Sequence, residues 1–257
     1  MTRVLVTGAT GTLGSAVLPR LPGGGFQVLA MSRRPRATAG AQWRTADLST
    51  GAGLAEAVAG VDAVVHLATA GRQMAAVDVA GTGRLIDAAA AAGVRQLLYV
   101  SIVGIDRVPM PYYRAKLAAE DLVRAGRLPW TILRATQFSQ LVDRFLVGTT
   151  RLGVLPADRN VLVQPVHPGD VAGRIATLLA QGPADAILEY GGPRMLRFGD
   201  IVAQWRQARG SRRPVLPVRI PGRVGAALRA GALTTTAQPA GTRSWQDYLA
   251  GTAPARR

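Results

Sequence analysis

The chain has 257 residues, of which 48% are hydrophobic and 5% aromatic, so it can form one sizeable core built mainly of Ala, Val and Leu. It contains no cysteine, which excludes disulfide scaffolds, thiolate metal sites and cysteine nucleophiles. The formal net charge is +16, but the arginines are scattered and not interleaved with aromatics, so we expect a basic surface and no nucleic-acid partner.

No apolar run reaches membrane-spanning length, and the first predicted strand starts directly after Met1, which leaves no room for a signal peptide. We therefore expect a cytoplasmic protein with no membrane partner. Residues 194–229 are more basic than the rest, with nine arginines and one acid, Asp200. This stretch either attracts an anionic substrate or the phosphates of a cofactor, or is a solvated face.

Strands and helices alternate through the first 135 residues. Short apolar runs predict strands at 3–7, 26–31, 42–45, 62–67, 96–102 and 130–134. Helices are predicted between them at 13–21, 54–59, 77–92 and 112–125. This alternation predicts an α/β fold, a Rossmann-type doubly wound parallel sheet with helices on both faces.

After residue 135 the pattern is less regular. We predict helices at 137–147, 169–179, 198–208 and 223–233, and extended pieces at 161–166, 186–190 and 214–220. We expect a single domain over 1–257, in which about 137–257 adds the last sheet strands and a small C-terminal substrate lobe. That lobe would cover the carboxyl ends of the strands, where such sheets bind ligands.

The turn after the first strand is rich in glycine. It reads Thr7-Gly8-Ala9-Thr10-Gly11-Thr12-Leu13-Gly14, a G-x-x-G-x-x-G spacing between a predicted strand and a predicted helix. Gly8 permits the tight turn, Gly11 lets the backbone approach a pyrophosphate, and Gly14 lets the helix pack close to the sheet. The free amides and the dipole of the helix then face the phosphates, so 8–14 predicts a dinucleotide site.

The end of the second strand indicates which dinucleotide binds. Where an NAD-preferring protein usually has an acid, this chain has Ser32-Arg33-Arg34. Arginines there would pair with a 2′-phosphate in bidentate geometry, so we expect NADP(H). Asp47 and Leu48, after the third strand, would suit the adenine edge.

A second set of chemically active residues follows the fifth strand. Ser101 ends that strand, and Tyr112 and Lys116 form Y-x-x-x-K at the start of the next helix, where residues four apart share a face. Lys116 is the only lysine among 31 basic residues. We expect its ammonium, together with the positive nicotinamide of the cofactor, to lower the pKa of the Tyr112 phenol for proton transfer, with Ser101 holding a carbonyl. The alternative is an ordinary amphipathic helix that begins with two tyrosines.

With these motifs the chain resembles the short-chain dehydrogenase/reductase superfamily, and within it the atypical NmrA-like, NAD(P)H-binding branch. The resemblance includes 112–120, 130–138 and 165–172 and covers essentially the whole length. It implies cofactor contacts from the glycine turn, from Lys116 and from two further loops, namely Leu67, Ala68 and Thr69 after the fourth strand, and Ala135, Gln137 and Phe138 after the sixth.

The leading hypothesis is an NADPH-dependent oxidoreductase that transfers hydride to a small carbonyl, enone or quinone, as a monomer or homodimer. Two alternatives stay open: a non-catalytic NADP(H)-sensing regulator, and a redox-neutral epimerase or cyclase. We expect His66 to be packed within its strand, and His167 either to border the substrate cleft or to lie outside it. No ligand spacing supports a metal site.

Overall fold

The computed structural model describes residues 1–36, 41–70 and 74–252, without the side chain of Leu152. Its strands are β1 (Thr2–Thr7), β2 (Phe26–Ser32), β3 (Gln42–Thr45), β4 (Ala63–His66), β5 (Gln96–Ile102), β6 (Trp130–Ala135), β7 (Leu155–Ala157), β8 (Leu162–Val163), β9 (Ala186–Tyr190), β10 (Leu196–Arg197) and β11 (Val215–Pro217). Its α-helices are α1 (Gly14–Val17), α2 (Leu54–Val58), α3 (Gly81–Ala91), α4 (Pro111–Ala125), α5 (Ser139–Thr149), α6 (Pro168–Gln181), α7 (Phe198–Arg209), α8 (Gly222–Arg229) and α9 (Trp245–Thr252).

Seven strands form the central sheet in the order β3-β2-β1-β4-β5-β6-β9. The pairing is parallel, with Val4 of β1 opposite Val28 of β2 and Ala63 of β4. The strand order runs outward from β1 and β4 in both directions, so the topological switch point lies between these two strands. The predicted doubly wound α/β fold is confirmed.

The chain forms two compact units. Unit 1 contains Met1–Ser101, Pro111–Arg134 and Val171–Leu188, and unit 2 contains Ile102–Met110, Ala135–Asp170 and Glu189–Arg257. The single domain with a substrate lobe stays a prediction.

Buried apolar strands form the core of unit 1. Leu5 and Val64 pack with Leu85 of α3 and Val123 of α4, and all four are at most 1% exposed. Val4, which points to the opposite face of the sheet from Leu5, is also fully buried. Both faces of the sheet are therefore covered, which explains why its strands are continuous apolar runs.

Unit 2 has its own apolar core and two small sheets. Leu155 of β7 packs with Ile201 and Trp205 of α7 and with Trp245 of α9. β7 pairs in parallel with β11, and β8 pairs antiparallel with β10. The sequence analysis did not predict β7, β10 or α9, and it made the strand at 214–220 too long.

Two predicted helices differ from the structure. The helix expected at 13–21 is α-helical only over Gly14–Val17, because Pro19 lacks the amide that would continue the hydrogen-bond ladder. The helix expected at 77–92 begins instead as a π-helical turn, Ala75–Ala80, and continues as α3. Among the described residues, none of the helices has both the length and the apolar character of a membrane span.

Candidate functional site

The glycine turn closes tightly on the neighbouring strand. Gly8 has φ +64°, and a Cβ there would lie 2.7 Å from the amide nitrogen of Ala68 and 2.8 Å from the carbonyl carbon of Leu67. The position therefore needs glycine for its left-handed backbone and also for the close approach of the loop after β4. The sequence analysis had inferred the first of these reasons only.

The remaining turn glycines let the turn fold back on itself. A Cβ at Gly14 would lie 2.3 Å from the Gly8 carbonyl oxygen, so the atoms it avoids belong to the turn and not, as expected, to the sheet. The amide of Gly11 donates to the same oxygen at 2.9 Å. The amides of Thr12 and Leu13 donate no hydrogen bond within the described residues. Amides without a hydrogen-bond partner in a glycine-rich turn suit a diphosphate.

The segment after β2 presents arginines to solvent. Arg33 and Arg34 are exposed, and the Ser32 hydroxyl donates to the Arg34 carbonyl at 2.5 Å. Asp47 accepts from the amide and the hydroxyl of Ser49 at 2.8 and 2.6 Å, and these bonds, with the charge of Arg33, lower the pKa of its carboxyl. The guanidinium groups fit an anionic substituent on a cofactor ribose.

Leu48 has a structural role. Its side chain is 4% exposed and packs closely on Gly81 of α3. A Cβ added at Gly81 would lie 2.9 Å from the Leu48 Cβ. The buried side chain of Leu48 is therefore not available to an adenine, and the predicted adenine contact would involve the Leu48 backbone.

His66 is packed in the core, as expected. Its imidazole is fully buried, with Nδ1 2.6 Å from the Thr7 hydroxyl and Nε2 2.9 Å from the Thr82 hydroxyl. Burial lowers the pKa of His66 to about 3, so the ring is neutral. The Thr7 hydroxyl also accepts from the amides of Leu67 and Ala68 at 3.2 and 3.3 Å, which ties the loop after β4 to the glycine turn.

Tyr112 lies beside the loop after β4. Its hydroxyl is 3.2 Å from the hydroxyl of Thr69, which in turn donates to Oδ1 of Asp78 at 2.6 Å. The structure thus joins an expected catalytic residue to an expected cofactor-binding residue. The sequence analysis missed Asp78, whose only signal is an acid in the apolar run 75–81.

Lys116 does not act on Tyr112 as expected. Its ammonium is buried, donates to the Val100 carbonyl at 3.1 Å and lies 4.2 Å from the centre of the Tyr99 ring. Burial lowers the pKa of Lys116 to about 8. The pKa of Tyr112 is raised, chiefly by burial and further by the charge of Asp78, while the hydrogen bond with Thr69 lowers it. The lowering expected with a bound nicotinamide stays a prediction.

Ser101, the residue before the last of β5, has a hydroxyl without a partner among the described residues. The residue is 3% exposed, and its Oγ makes no hydrogen bond to any described residue. Buried hydroxyls are almost always hydrogen-bonded, and this Oγ is itself shielded from solvent, so the expected bond from Ser101 to a carbonyl oxygen stays a prediction. Ser101, Tyr112, Thr69 and the glycine turn all belong to unit 1.

The expected cofactor residues after β6 lie in unit 2, and their role stays a prediction. Ala135 is buried at the end of β6, and Phe138 forms a bridge with Val166. The Gln137 amide group donates to the Leu233 carbonyl at 2.9 Å and accepts from the Gln164 amide at 3.1 Å. The Gln137 side chain is therefore already engaged by the backbone of unit 2.

His167 lines a cleft of about 230 Å³ in unit 2, together with Gln140, Arg243 and Tyr248. Its Nδ1 accepts from the Gly169 amide at 3.0 Å. Partial burial, followed by the charge of Arg243, lowers the pKa of the His167 imidazole. Whether a substrate binds there stays a prediction.

The basic stretch 194–229 is partly neutralised within unit 2. Arg209 pairs with Asp143 at 3.1 Å and Arg229 pairs with Asp158 at 2.5 Å. The side chains of Arg197 and Arg206 line a shallow cleft together with Asp200. Among the described residues, no group of three or more histidines and acids is arranged to hold a metal ion.

Comparisons with known proteins show the family to which the chain belongs. A family model described as NAD(P)H-binding matches residues 8–181. A (4-alkanoyl-5-oxo-2,5-dihydrofuran-3-yl)methyl phosphate reductase of Streptomyces griseus is 31% identical over 216 residues, which are 80% of this chain and 74% of that protein. A photosystem II assembly factor, Ycf39 of Cyanophora paradoxa, is 31% identical over 155 residues, 56% of this chain and 48% of that protein.

An uncharacterized protein of Mycobacterium tuberculosis is 28% identical over 223 residues, which are 85% of this chain but 24% of that protein. The chain thus spans about a quarter of the length of this relative. Among solved structures, an NADPH-dependent quinone oxidoreductase from Escherichia coli superimposes with a TM-score of 0.80 at 20% identity, covering 96% of this chain and 99% of that one. At that identity the likeness shows the fold.

Proposed function

This chain belongs to the NAD(P)H-binding family, and on that premise we propose that it is an NADPH-dependent oxidoreductase that reduces a small carbonyl, enone or quinone. The observation that carries the proposal is the Tyr112 hydroxyl, held 3.2 Å from Thr69 in the same compact unit as the glycine turn. When bound, NADPH supplies the hydride, and binding, orientation and proton transfer are left to side chains of the protein.

In this proposal Tyr112 is the proton donor. Its raised pKa keeps the phenol protonated at neutral pH, which favours reduction, because the acceptor oxygen must gain a proton as its carbon gains hydride. The unpartnered hydroxyl of Ser101 donates a hydrogen bond to the same oxygen and orients it. Lys116 places a buried positive charge behind the site, bonded to the residue before Ser101.

The preference for NADPH is assigned to Arg33 and Arg34. Both are exposed at the end of β2, and no ion pair of the described residues uses either side chain. Two free guanidinium groups would bind a 2′-phosphate, whereas the hydroxyl of NADH would gain little from them.

An enone is the substrate class with the most support. The S. griseus relative, of which this chain spans 74%, is named as the reductase of an oxo-dihydrofuran phosphate carrying an alkanoyl group. Such a compound has a carbon–carbon double bond activated by carbonyl groups. Hydride then adds to carbon, and the resulting enolate takes its proton from the acid that Tyr112 provides.

The test is turnover against a substrate panel. Purified protein is mixed with NADPH and a series of butenolides, linear enones, aldehydes and quinones, while NADPH oxidation and reduced product are followed together. Oxidation with matching product on at least one class supports the proposal. If every class is inert while calorimetry shows NADPH binding, the oxidoreductase assignment is wrong.

A second candidate is a regulator that binds NADP(H) without turnover, and one observation favours it. Ycf39, a relative at 31% identity, is named as an assembly factor and not as an enzyme. A regulator would retain a partner protein from a lysate with NADPH but not with NADP⁺, or the reverse, and would show no turnover on the panel. Retention independent of cofactor state counts against it.

A further inference from the structure

Asp78 is a buried carboxylate with an unusual set of partners. It is 1% exposed, lies in the π-helical turn Ala75–Ala80, and makes no ion pair within the described residues. Its two oxygens accept instead from the Thr69 hydroxyl at 2.6 Å and the Ala70 amide at 3.0 Å. A buried charge is costly unless it is hydrogen-bonded. π-Helical turns in helices occur often at functional sites.

The direction of these hydrogen bonds follows from the chemistry of the groups. An ionised carboxylate can only accept, so the single hydroxyl proton of Thr69 is committed to Asp78. Toward Tyr112 the Thr69 oxygen can then only accept. The proton in the 3.2 Å contact must therefore come from the Tyr112 phenol.

The backbone of Asp78 is fixed as well. Its carbonyl accepts from the Thr82 hydroxyl at 2.6 Å, so Thr82 must in turn accept from Nε2 of His66. The other ring nitrogen of His66 accepts from the hydroxyl of Thr7, the last residue of β1. A continuous chain of buried hydrogen bonds thus anchors the main chain of Asp78, through its carbonyl, to the strand that carries the glycine turn.

We propose that Asp78 is a positioning residue for Tyr112 and acts through Thr69. The carboxylate orients the Thr69 hydroxyl, and in the protein without substrate Thr69 then holds the phenol oxygen in place by accepting its proton. When substrate binds, the phenol donates that proton to the acceptor oxygen instead. The inference rests on the proposed function for its catalytic consequence. Its structural part concerns the ionisation of the Tyr112 hydroxyl, which can be measured without any turnover.

The first test measures ionisation of Tyr112 by ultraviolet titration of the protein without substrate. Subtracting the curve of Tyr112→Phe isolates this phenol from the other tyrosines. Asp78→Asn removes a negative charge, and Thr69→Val removes the acceptor of the phenol proton. Asp78→Asn should therefore shift the titration of Tyr112 to lower pH, and Thr69→Val should displace it from the wild-type curve. The matched control is Asp87→Asn, an exposed acid on α3, which should leave the curve unchanged.

Since the charge of Asp78 also raises the pKa values of Tyr99 and Lys116, each variant curve is corrected with Tyr112→Phe in the same background, which leaves the other ionisable groups around Tyr112 matched. They are Tyr113 and Lys116 on its own helix, and Tyr99 and Glu120, which act on the same cluster through Lys116. A titration curve of Tyr112 that is unchanged in both Asp78→Asn and Thr69→Val would overturn the inference.

The second test is a double-mutant cycle on the reduction that the substrate panel identifies. Each single variant should lower kcat by roughly 10-fold to 100-fold, and Asp78→Asn should leave the KM for NADPH little changed, since a misplaced acid reacts slowly but leaves cofactor contacts intact. If Asp78 acts through Thr69, Asp78→Asn in the Thr69→Val background should lower kcat by less than a further 2-fold or so. Independent, multiplying effects would contradict the route through Thr69.

The two failures are distinguishable. A wild-type protein that reduces nothing refutes the proposed function, while the titration still decides the role of Asp78. Should Asp78→Asn fail to fold, Thr69→Val alone remains decisive, because Thr69 is exposed on a loop and valine has the same shape.

Discussion

At the scale of single residues, Tyr112 is set apart from the other tyrosine beside it. Tyr112 and Tyr113 are both half-buried at the start of α4, their rings 5.9 Å apart, and the pKa of each phenol is raised, chiefly by burial. Of the two, Tyr112 contacts the loop after β4, through Thr69. The pair therefore provides an internal comparison between a phenol in the proposed site and one beside it.

Replacing Tyr112 by phenylalanine should lower kcat by roughly 10²-fold to 10⁴-fold, because the proton donor is lost. The affinity for NADPH should stay as in the wild type, since the phenol is not a proposed cofactor contact. Steady-state kinetics and calorimetry check both parts, with Tyr113→Phe as the control. A fully active Tyr112→Phe protein would refute the assigned mechanism.

Arg33 and Arg34 should determine cofactor preference. Changing both to alanine is expected to weaken NADPH binding by roughly 10-fold to 100-fold, as for lost charge-assisted hydrogen bonds, and to leave NADH binding nearly unaltered. Dissociation constants for both nucleotides measure this, with Arg124→Ala as the control, since Arg124 is exposed on α4 and pairs with Asp121. Equal losses for both nucleotides would show a general electrostatic effect instead.

At the scale of elements, the glycine turn and helix α4 are fixed by different forces. The turn is shaped by the absence of side chains, because a Cβ at Gly14 would collide with the backbone of Gly8 and Ala9. Helix α4 is held to β6 by a bidentate, buried ion pair between Glu120 and Arg134, at 2.6 and 3.0 Å. Both the glycine turn and the Glu120–Arg134 ion pair position residues of the proposed site.

Gly14→Ala should destabilise the protein by about 1–3 kcal/mol, as overpacking does, and should weaken NADPH binding because the turn must open. Gly23→Ala is the matched control, since a Cβ at Gly23 meets nothing within 4 Å. Urea denaturation and calorimetry measure the two effects. Wild-type affinity in Gly14→Ala would show that the turn is not where the dinucleotide binds.

Glu120→Ala should destabilise the protein by about 3–5 kcal/mol, because it leaves the Arg134 guanidinium buried without its carboxylate. The neighbouring Asp121→Ala removes an exposed pair with Arg124 and should cost less than about 1 kcal/mol. The two free energies of unfolding, taken from urea melts, should differ clearly. Similar values would mean that the buried pair contributes little to holding α4.

At the scale of the whole molecule, His66 links stability to pH. Its pKa is lowered from 6.5 to about 3 in the folded protein by burial, followed by the charge of Lys116. The unfolded chain binds a proton between these values and the folded protein does not. Acid therefore favours unfolding, and the contribution of His66 to stability falls as pH drops from about 6.5 toward 3.

By pH 5 this linkage should lower the free energy of unfolding by about 2 kcal/mol relative to pH 7.5. The chain has two histidines, so proton NMR should show one imidazole titrating below pH 6.5 and a second, His66, unprotonated down to at least pH 4. The variant His167→Gln assigns the signals. A second imidazole that titrates near pH 6 would contradict the burial of a neutral His66.

Much of unit 1 could be predicted from sequence, because each of its elements carries its own signal. Strands β3 and β5 have the predicted bounds, and the other four strands predicted before residue 135 differ by one residue at one or both ends. Strands covered on both faces are continuous apolar runs, and local glycines mark their ends. The glycine turn, Ser101 and the tyrosine–lysine pair were recognisable as local spacings.

The small sheets of unit 2 could not be predicted from local sequence patterns. Strand β7 has three residues and β10 has two, and each exists because it pairs with a distant segment, β11 or β8. The terminal helix α9 is similarly defined by packing of Trp245 against α7. Elements this short have too few residues to show a hydrophobic period.

The sequence by itself determined the alternation of elements, the family-type fold and the residues around which the proposed chemistry is built. Tertiary structure alone decided which partners those residues contact. Lys116 contacts Tyr99 and Val100, and Tyr112 is held by Asp78 through Thr69. The physical reason is that hydrogen-bond partners and burial depend on segments remote in sequence, here 43 positions apart for Thr69 and Tyr112. Local pattern reports which groups are present, and packing decides which of them meet.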